Sequence, residues 1–140
     1  MEERDILKDQ IQQLGKVLAN IVSAFLDLKL TGNVIAGIEV SNQRFQDELD
    51  LDIEKILALD ENELKGYLQS RKLSAEHLEI LSEYLKELGA THSDTNKTEA
   101  KSCFEKAIEL LDISDEISKT LSFVRENKKA EIQKSLDQIL

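Results

Sequence analysis

Apolar residues recur along the first thirty positions with the spacing of a helix. Leu7, Ile11, Leu14, Leu18, Ile21, Phe25 and Leu28 alternate at steps of four and three, a heptad seam. Ile6, Val17 and Val22 widen the stripe beyond the two positions of a strict coiled coil. A stripe that wide fits a helix lying on a globular core better than an isolated two-stranded coil. The pattern predicts a long helix over about 3–30 that ends at Thr31-Gly32-Asn33. Gly32 would supply a left-handed cap, and Asn33 can cap the next helix.

A second helix is predicted from Val34 to about Leu49, with Ile35, Ile38, Phe45 and Leu49 as its inner face. Ser41 and Asn42 interrupt that face, and Gly37 weakens it slightly. Asp50 to Leu57 reads as a short helix or turn. Asp60 and Glu63 have capping-box-like spacing and open a helix through Leu64, Tyr67 and Leu68. Ser74 starts another through Leu78, Leu81, Tyr84, Leu85 and Leu88, which Gly89 is expected to stop. Residues 90–97 are small and polar and read as a loop. A further helix carries Ala100, Cys103, Phe104, Ala107, Ile108 and Leu111 on one face. Asp112-Ile113-Ser114-Asp115 reads as a break with Ser114 as a cap. The remainder reads as one or two helices through Ile117, Leu121 and Val124, then Ile132, Leu136 and Ile139, with a turn at Asn127-Lys128-Lys129. No segment alternates with period two, so no strand is predicted.

The expected fold is therefore all-α: one helical domain over residues 1–140, with about six to eight helices packed as antiparallel hairpins. Composition agrees. The 140 residues include no Pro and only five Gly, too few turn formers for an all-β chain of this length. Apolar residues make up 41% and charged residues 33%, a globular rather than a disordered balance.

Two resemblances follow from particular residues. From about Leu81 to Ile113 the chain resembles one unit of the tetratricopeptide repeat. Ala100, Phe104 and Ala107 match the small–large–small spacing of that unit's second helix, and Phe104 to Leu111 is close to a typical second-helix sequence. The link between its two helices is longer than the repeat uses. The resemblance covers about a quarter of the chain and implies a tetratricopeptide-like helical hairpin. The chain as a whole resembles an uncharacterised bacterial all-helical protein family. The residues that carry this are Gln13-Leu14-Gly15-Lys16 with Leu18-Ala19, the run from Leu81 to Gly89, and the helix around Phe104. It implies a bacterial source and supplies no catalytic residue.

Charge and chemistry narrow the function by exclusion. With 28 acids against 18 bases the net charge is −10, which argues against nucleic acid and anionic lipid as partners. The single cysteine, Cys103, permits no internal disulfide. No uninterrupted apolar stretch follows Met1-Glu2-Glu3-Arg4-Asp5, so neither a secretory signal nor a membrane span is expected, and a cytoplasmic location is.

Each candidate for chemistry has a plainer explanation. His77 and His92 would share a metal only if a loop folded back. Asp47, Glu48, Asp50, Asp52 and Glu54 lack the glycine and alternating oxygens of a calcium loop and read as a hydrated helix end. Cys103 lies on an apolar face and reads as a buried, inert thiol. Arg125, Lys128 and Lys129 form a basic patch that reads as a solvated turn. Tyr67 and Tyr84 could line a peptide groove but fit half-buried core positions. The sequence thus names no catalytic, cofactor-binding or metal-ligating residue, and no cofactor.

The functional expectation is a non-enzymatic protein–protein interaction module that binds a basic or amphipathic segment. Its groove would lie on the inner face of the Ser74–Gly89 and Lys97–Leu111 pair. The alternative is a structural homo-oligomer joined through the 7–28 apolar seam. An enzyme or small-ligand binder is the third reading.

Overall fold

The computed structural model describes the backbone from Glu2 onward and side chains from Lys8 onward. The seam positions Ile6 and Leu7 lie outside the described side chains. Seven helices and no strand occur among the described residues: α1 (Glu2–Leu30), α2 (Val34–Leu49), α3 (Ile53–Ala58), α4 (Glu61–Ser70), α5 (Ala75–His92), α6 (Lys97–Ser118) and α7 (Phe123–Ile139). The all-α expectation holds.

Local chemistry sets most helix starts. The side chains of Asp52, Asp60, Ser74, Asn96 and Ser122 each accept a hydrogen bond from a backbone N–H of the first turn that follows. Each such cap is worth about 1 kcal/mol. Asn33 occupies the capping position of α2, but its side chain donates to Thr31 Oγ1 instead. Gly32 takes the left-handed conformation that ends α1, with φ of 83°. Asp50, Lys72 and Lys119 hold the same conformation without being glycine.

Helices α5 and α6 form the centre. Gly89 lies against Phe104, Ser82 Oγ donates to the Ala107 carbonyl at 2.8 Å, and Ser114 Oγ donates to the Ala75 carbonyl at 2.9 Å. These contacts climb one helix while descending the other, so the two run antiparallel. Ala100, Cys103, Phe104, Ala107, Leu110 and Leu111 are buried on α6, and Leu78, Leu81, Tyr84, Leu85 and Leu88 on α5. Helix α1 packs on α2 and α5, and α7 packs chiefly on α6. The α1 seam is core: Leu18, Ile21 and Phe25 have no exposed surface, and Leu14 and Leu28 are half-buried. Ile11, nearer the start of the seam, is 45% exposed.

Several local expectations fail for tertiary reasons. Gly89 does not stop α5, which continues to His92. A glycine inside a helix costs about 1 kcal/mol, but a Cβ here would stand 2.8 Å from the Phe104 ring. The close approach of the two helices demands the glycine. The predicted 90–97 loop consequently shrinks to the few residues before Lys97, and the link between the two helices is short.

The predicted break at Asp112–Asp115 is absent. Ser114 is no cap: it is fully buried and its hydroxyl is satisfied by α5. The break falls later, between Ser118 and Phe123, and Asn127-Lys128-Lys129 is helical rather than a turn. Arg125 and Lys129, one turn apart on α7, both reach back to Asp115.

The inner face of α2 departs from the expected one at its start. Phe45 is buried, and Ile38 and Leu49 pack on the core, but Ile35 is 76% exposed, while Gly37 and Ser41 are buried. A Cβ at Gly37 would come within 3.2 Å of Leu28 Cβ, so α2 approaches α1 closely at its small residues. Asn42, expected to interrupt the face, accepts a hydrogen bond from Tyr84 at 2.6 Å.

Candidate functional site

Most of the chemically able residues are consumed by the fold. His77 is 2% exposed and both its ring nitrogens are engaged. Nδ1 accepts the Ser74 N–H at 2.9 Å, so Nε2 carries the proton and donates to the Ile11 carbonyl at 2.8 Å. An imidazole thus takes the role a glutamate or glutamine has in the usual capping box, and ties α5 to α1. His92 lies at the other end of the same helix, roughly 22 Å away along the axis, so the histidines share no site. Among the described residues no three His, Cys, Asp or Glu converge as metal ligands.

The acidic run is spent on local structure. Asp47 accepts from Gln43, Glu48 pairs with Arg44 at 2.6 Å, and Asp50 pairs with Arg71 at 3.5 Å. Asp52 caps α3. Cys103 is fully buried, and burial, with help from the charges of Glu99 and Glu54, pushes its thiol up to about 12. A thiol held protonated in this way is a poor nucleophile.

The basic patch is not a patch. Arg125 Nε donates to Asp115 Oδ1 at 2.6 Å, and Lys129 donates to Asp115 Oδ2 with Asp112 and Glu126 nearby. Burial by itself raises the Asp115 carboxyl, but the hydrogen bonds and charges of Lys129 and Arg125 outweigh it and leave the group below its ordinary value. Only Lys128 points elsewhere, into a surface cavity described below.

The tyrosines belong to the core. Tyr84 has no exposed surface and stacks edge-on to Phe25 at 5.2 Å and against Phe45 at 4.7 Å. The Tyr67 hydroxyl accepts the Asp52 N–H at 2.8 Å, and the Arg71 guanidinium sits 3.8 Å from its ring centre. Nor does the inner face of α5 and α6 form a groove. Ala100 and Ala107 are buried there and let the two helices approach.

The open side of α5 is the outer one, facing α1. Two adjoining cavities lie there, of about 520 and 500 Å³, and they meet at Ile80. The first runs between Ile11, Gln12 and Gly15 of α1 and Ser74 to His77 of α5, with Lys8 at its mouth. The second runs between Ala19, Val22 and Leu26 of α1 and Glu79 and Glu83 of α5, and Lys128 of α7 also lines it. Together they form an apolar channel from Ile11 to Leu26, roughly 22 Å long at 1.5 Å per helical residue. Its floor includes Ile80, half-buried, and Ile11, which is 45% exposed. Its α5 edge carries Glu76, Glu79 and Glu83.

The sequence holds a signal for this channel. Ile80 stands off the Leu78–Leu81–Leu85–Leu88 stripe, among Glu76, Glu79 and Glu83. An apolar residue on the acidic side of an amphipathic helix is a mark of a second contact face. The α1 side gives no comparable mark, because Gly15 and Ala19 are too small to register in an apolar period. A separate polar cavity of about 450 Å³ lies over Phe104 between the α5–α6 turn and the end of α7.

No described helix is long and apolar enough to cross a membrane. Compared with protein-family models, with curated proteins and with solved structures, the chain matches none.

Proposed function

We propose that the protein is a non-enzymatic interaction module that holds a segment of another protein in the channel between α1 and α5. The observation that supports this is the channel itself, an open apolar trough with charged edges on a fold whose His77, cysteine, tyrosines and two of three patch cations are otherwise engaged. An apolar trough with an acidic α5 edge suits an amphipathic or basic segment, the partner class expected from the acidic composition. A bacterial source, a cytoplasmic location and a tetratricopeptide-like α5–α6 hairpin are parts of the same proposal, and rest on the sequence resemblances and composition.

The test is a capture experiment with two proteins, the wild type and Ile80→Glu. Ile80 is only half-buried, so the variant keeps its fold, checked by circular dichroism and melting temperature. A protein retained at physiological salt by the wild type and lost with Ile80→Glu supports docking in the channel. A protein retained equally by both places the interaction elsewhere and overturns the reading.

A further inference from the structure

Resting on that docking reading, we infer that the channel's occupant is an amphipathic helix of about four turns that carries cations along the flank meeting α5. Length, shape and charge each contribute to this assignment.

The channel is straight because both walls are helices, and it is apolar over roughly 22 Å. An extended strand laid there would leave its backbone N–H and C=O groups against Ile11, Val22, Leu26 and Ile80, which offer no partners. A helix satisfies those groups internally and presents one apolar stripe. About 15 helical residues cover the distance.

Charge sets the flank. Glu76, Glu79 and Glu83 follow one another at helical spacing along the α5 edge, so they make a row rather than a cluster. Glu76 only accepts from Ser74 Oγ, and among the described residues no ion pair engages Glu76 or Glu79. Glu83 is near Lys86 at 3.3 Å in an exposed pair that exchanges readily. Two cations also line the channel, Lys8 in the first cavity and Lys128 in the second, against three glutamates. The complementary helix is basic on the side that meets α5. A second copy of this chain does not supply that pattern from any described exposed helix face, because its only compact run of cations, on α7, is bound to Asp115 and its neighbours.

The probe is a pair of fluorescent helix-forming peptides of about 15 residues. Both carry leucines along one face; one carries three lysines on the flank and its twin carries glutamates there. Anisotropy with the full chain at low salt reads their affinities. The lysine peptide is expected to bind about tenfold tighter than its twin, the combined effect of three exposed ion pairs. The preference should vanish in the triple variant Glu76→Gln, Glu79→Gln, Glu83→Gln, whose melting temperature stays close to that of the wild type.

Equal binding of the two peptides, with both lost in Ile80→Glu, overturns the inference about charge and leaves the docking reading intact. Binding of neither peptide, alongside a captured protein that depends on Ile80, overturns the helical occupant alone. Binding of neither, with capture indifferent to Ile80→Glu, overturns both. A concentration-dependent dimer by sedimentation that dissociates in Ile80→Glu makes the occupant a second copy and also overturns the inference.

Discussion

Helix α5 meets α6 on one side and the channel on the other, and the two sides fill space by different means. Against α6, small and large residues interlock. Gly89 accommodates the Phe104 ring, and buried hydroxyls of Ser82 and Ser114 find carbonyls across the interface. Against α1, the inner contact is packed as well, with Phe25 on Tyr84 at 5.2 Å, but the outer edge is tied only at its ends. His77 reaches the Ile11 carbonyl near the start of α5, and Lys29 pairs with Glu87 at 2.8 Å near its end. Between those ties the surface stays apolar and open. Complementary shape closes one side of the helix, whereas on the other two polar anchors hold a wall in place without filling the space beside it.

Four measurements would break or sharpen that contrast. The largest effect is expected from Phe104→Ala, which removes the ring that Gly89 receives. Chemical denaturation should show a loss of about 3–5 kcal/mol, and a loss below about 1 kcal/mol would mean that α5 and α6 are not the close-packed pair.

Next comes the ion-pair network that fastens α7 to α6. Asp115→Asn leaves Arg125 and Lys129 without their shared carboxylate and should destabilise by about 3 kcal/mol at neutral pH. The sign of the pH dependence follows from the depressed Asp115 carboxyl. Its contribution is complete above the ordinary aspartate value of about 4 and is lost as pH falls through the lower folded value. Melting curves of the wild type and Asp115→Asn should therefore converge below about pH 4. A gap that persists unchanged into acid would show that the carboxylate's charge is not what holds α7.

The smallest pair uses one substitution on two sides of the same helix. Gly89→Ala puts a methyl group into the Phe104 ring and should destabilise by about 2 kcal/mol. Gly15→Ala, at the channel, places its methyl 3.6 Å from His77, an ordinary contact. There the gain in helix propensity should dominate, a stabilisation of about 0.5–1 kcal/mol in thermal melts. Effects of the same sign at both positions would erase the distinction between a closed and an open side.

The channel also explains which parts of the site the sequence could show. Histidine, cysteine and tyrosine drew attention because their chemistry is conspicuous, yet each is fixed by neighbours that lie far away in the chain. His77 donates its second hydrogen bond to α1, and Tyr84 donates to Asn42 of α2. Ile80 carries a readable mark, an apolar residue among acids, but its meaning depends on what stands opposite. That wall is made of Gly15, Ala19, Val22 and Leu26, and no pattern in α5 specifies it.

By itself the sequence determined the helical class, the long first helix with its buried seam, and the helix starts at Asp60 and Ser74. These follow from local causes: apolar periodicity, a missing Pro, and side chains that cap the turn beside them. The tertiary structure decided where α5 and α6 end, which face of α2 is buried at its start, and which flank of α5 stays open. In each case a distant group changed the local balance. The Phe104 ring made a glycine the right residue inside a helix, the start of α5 satisfied the Ser114 hydroxyl, and α1 approached α2 closely enough to favour Gly37 over Ile35. Propensities of a fraction of a kcal/mol per residue yield to packing and hydrogen-bond energies several times larger.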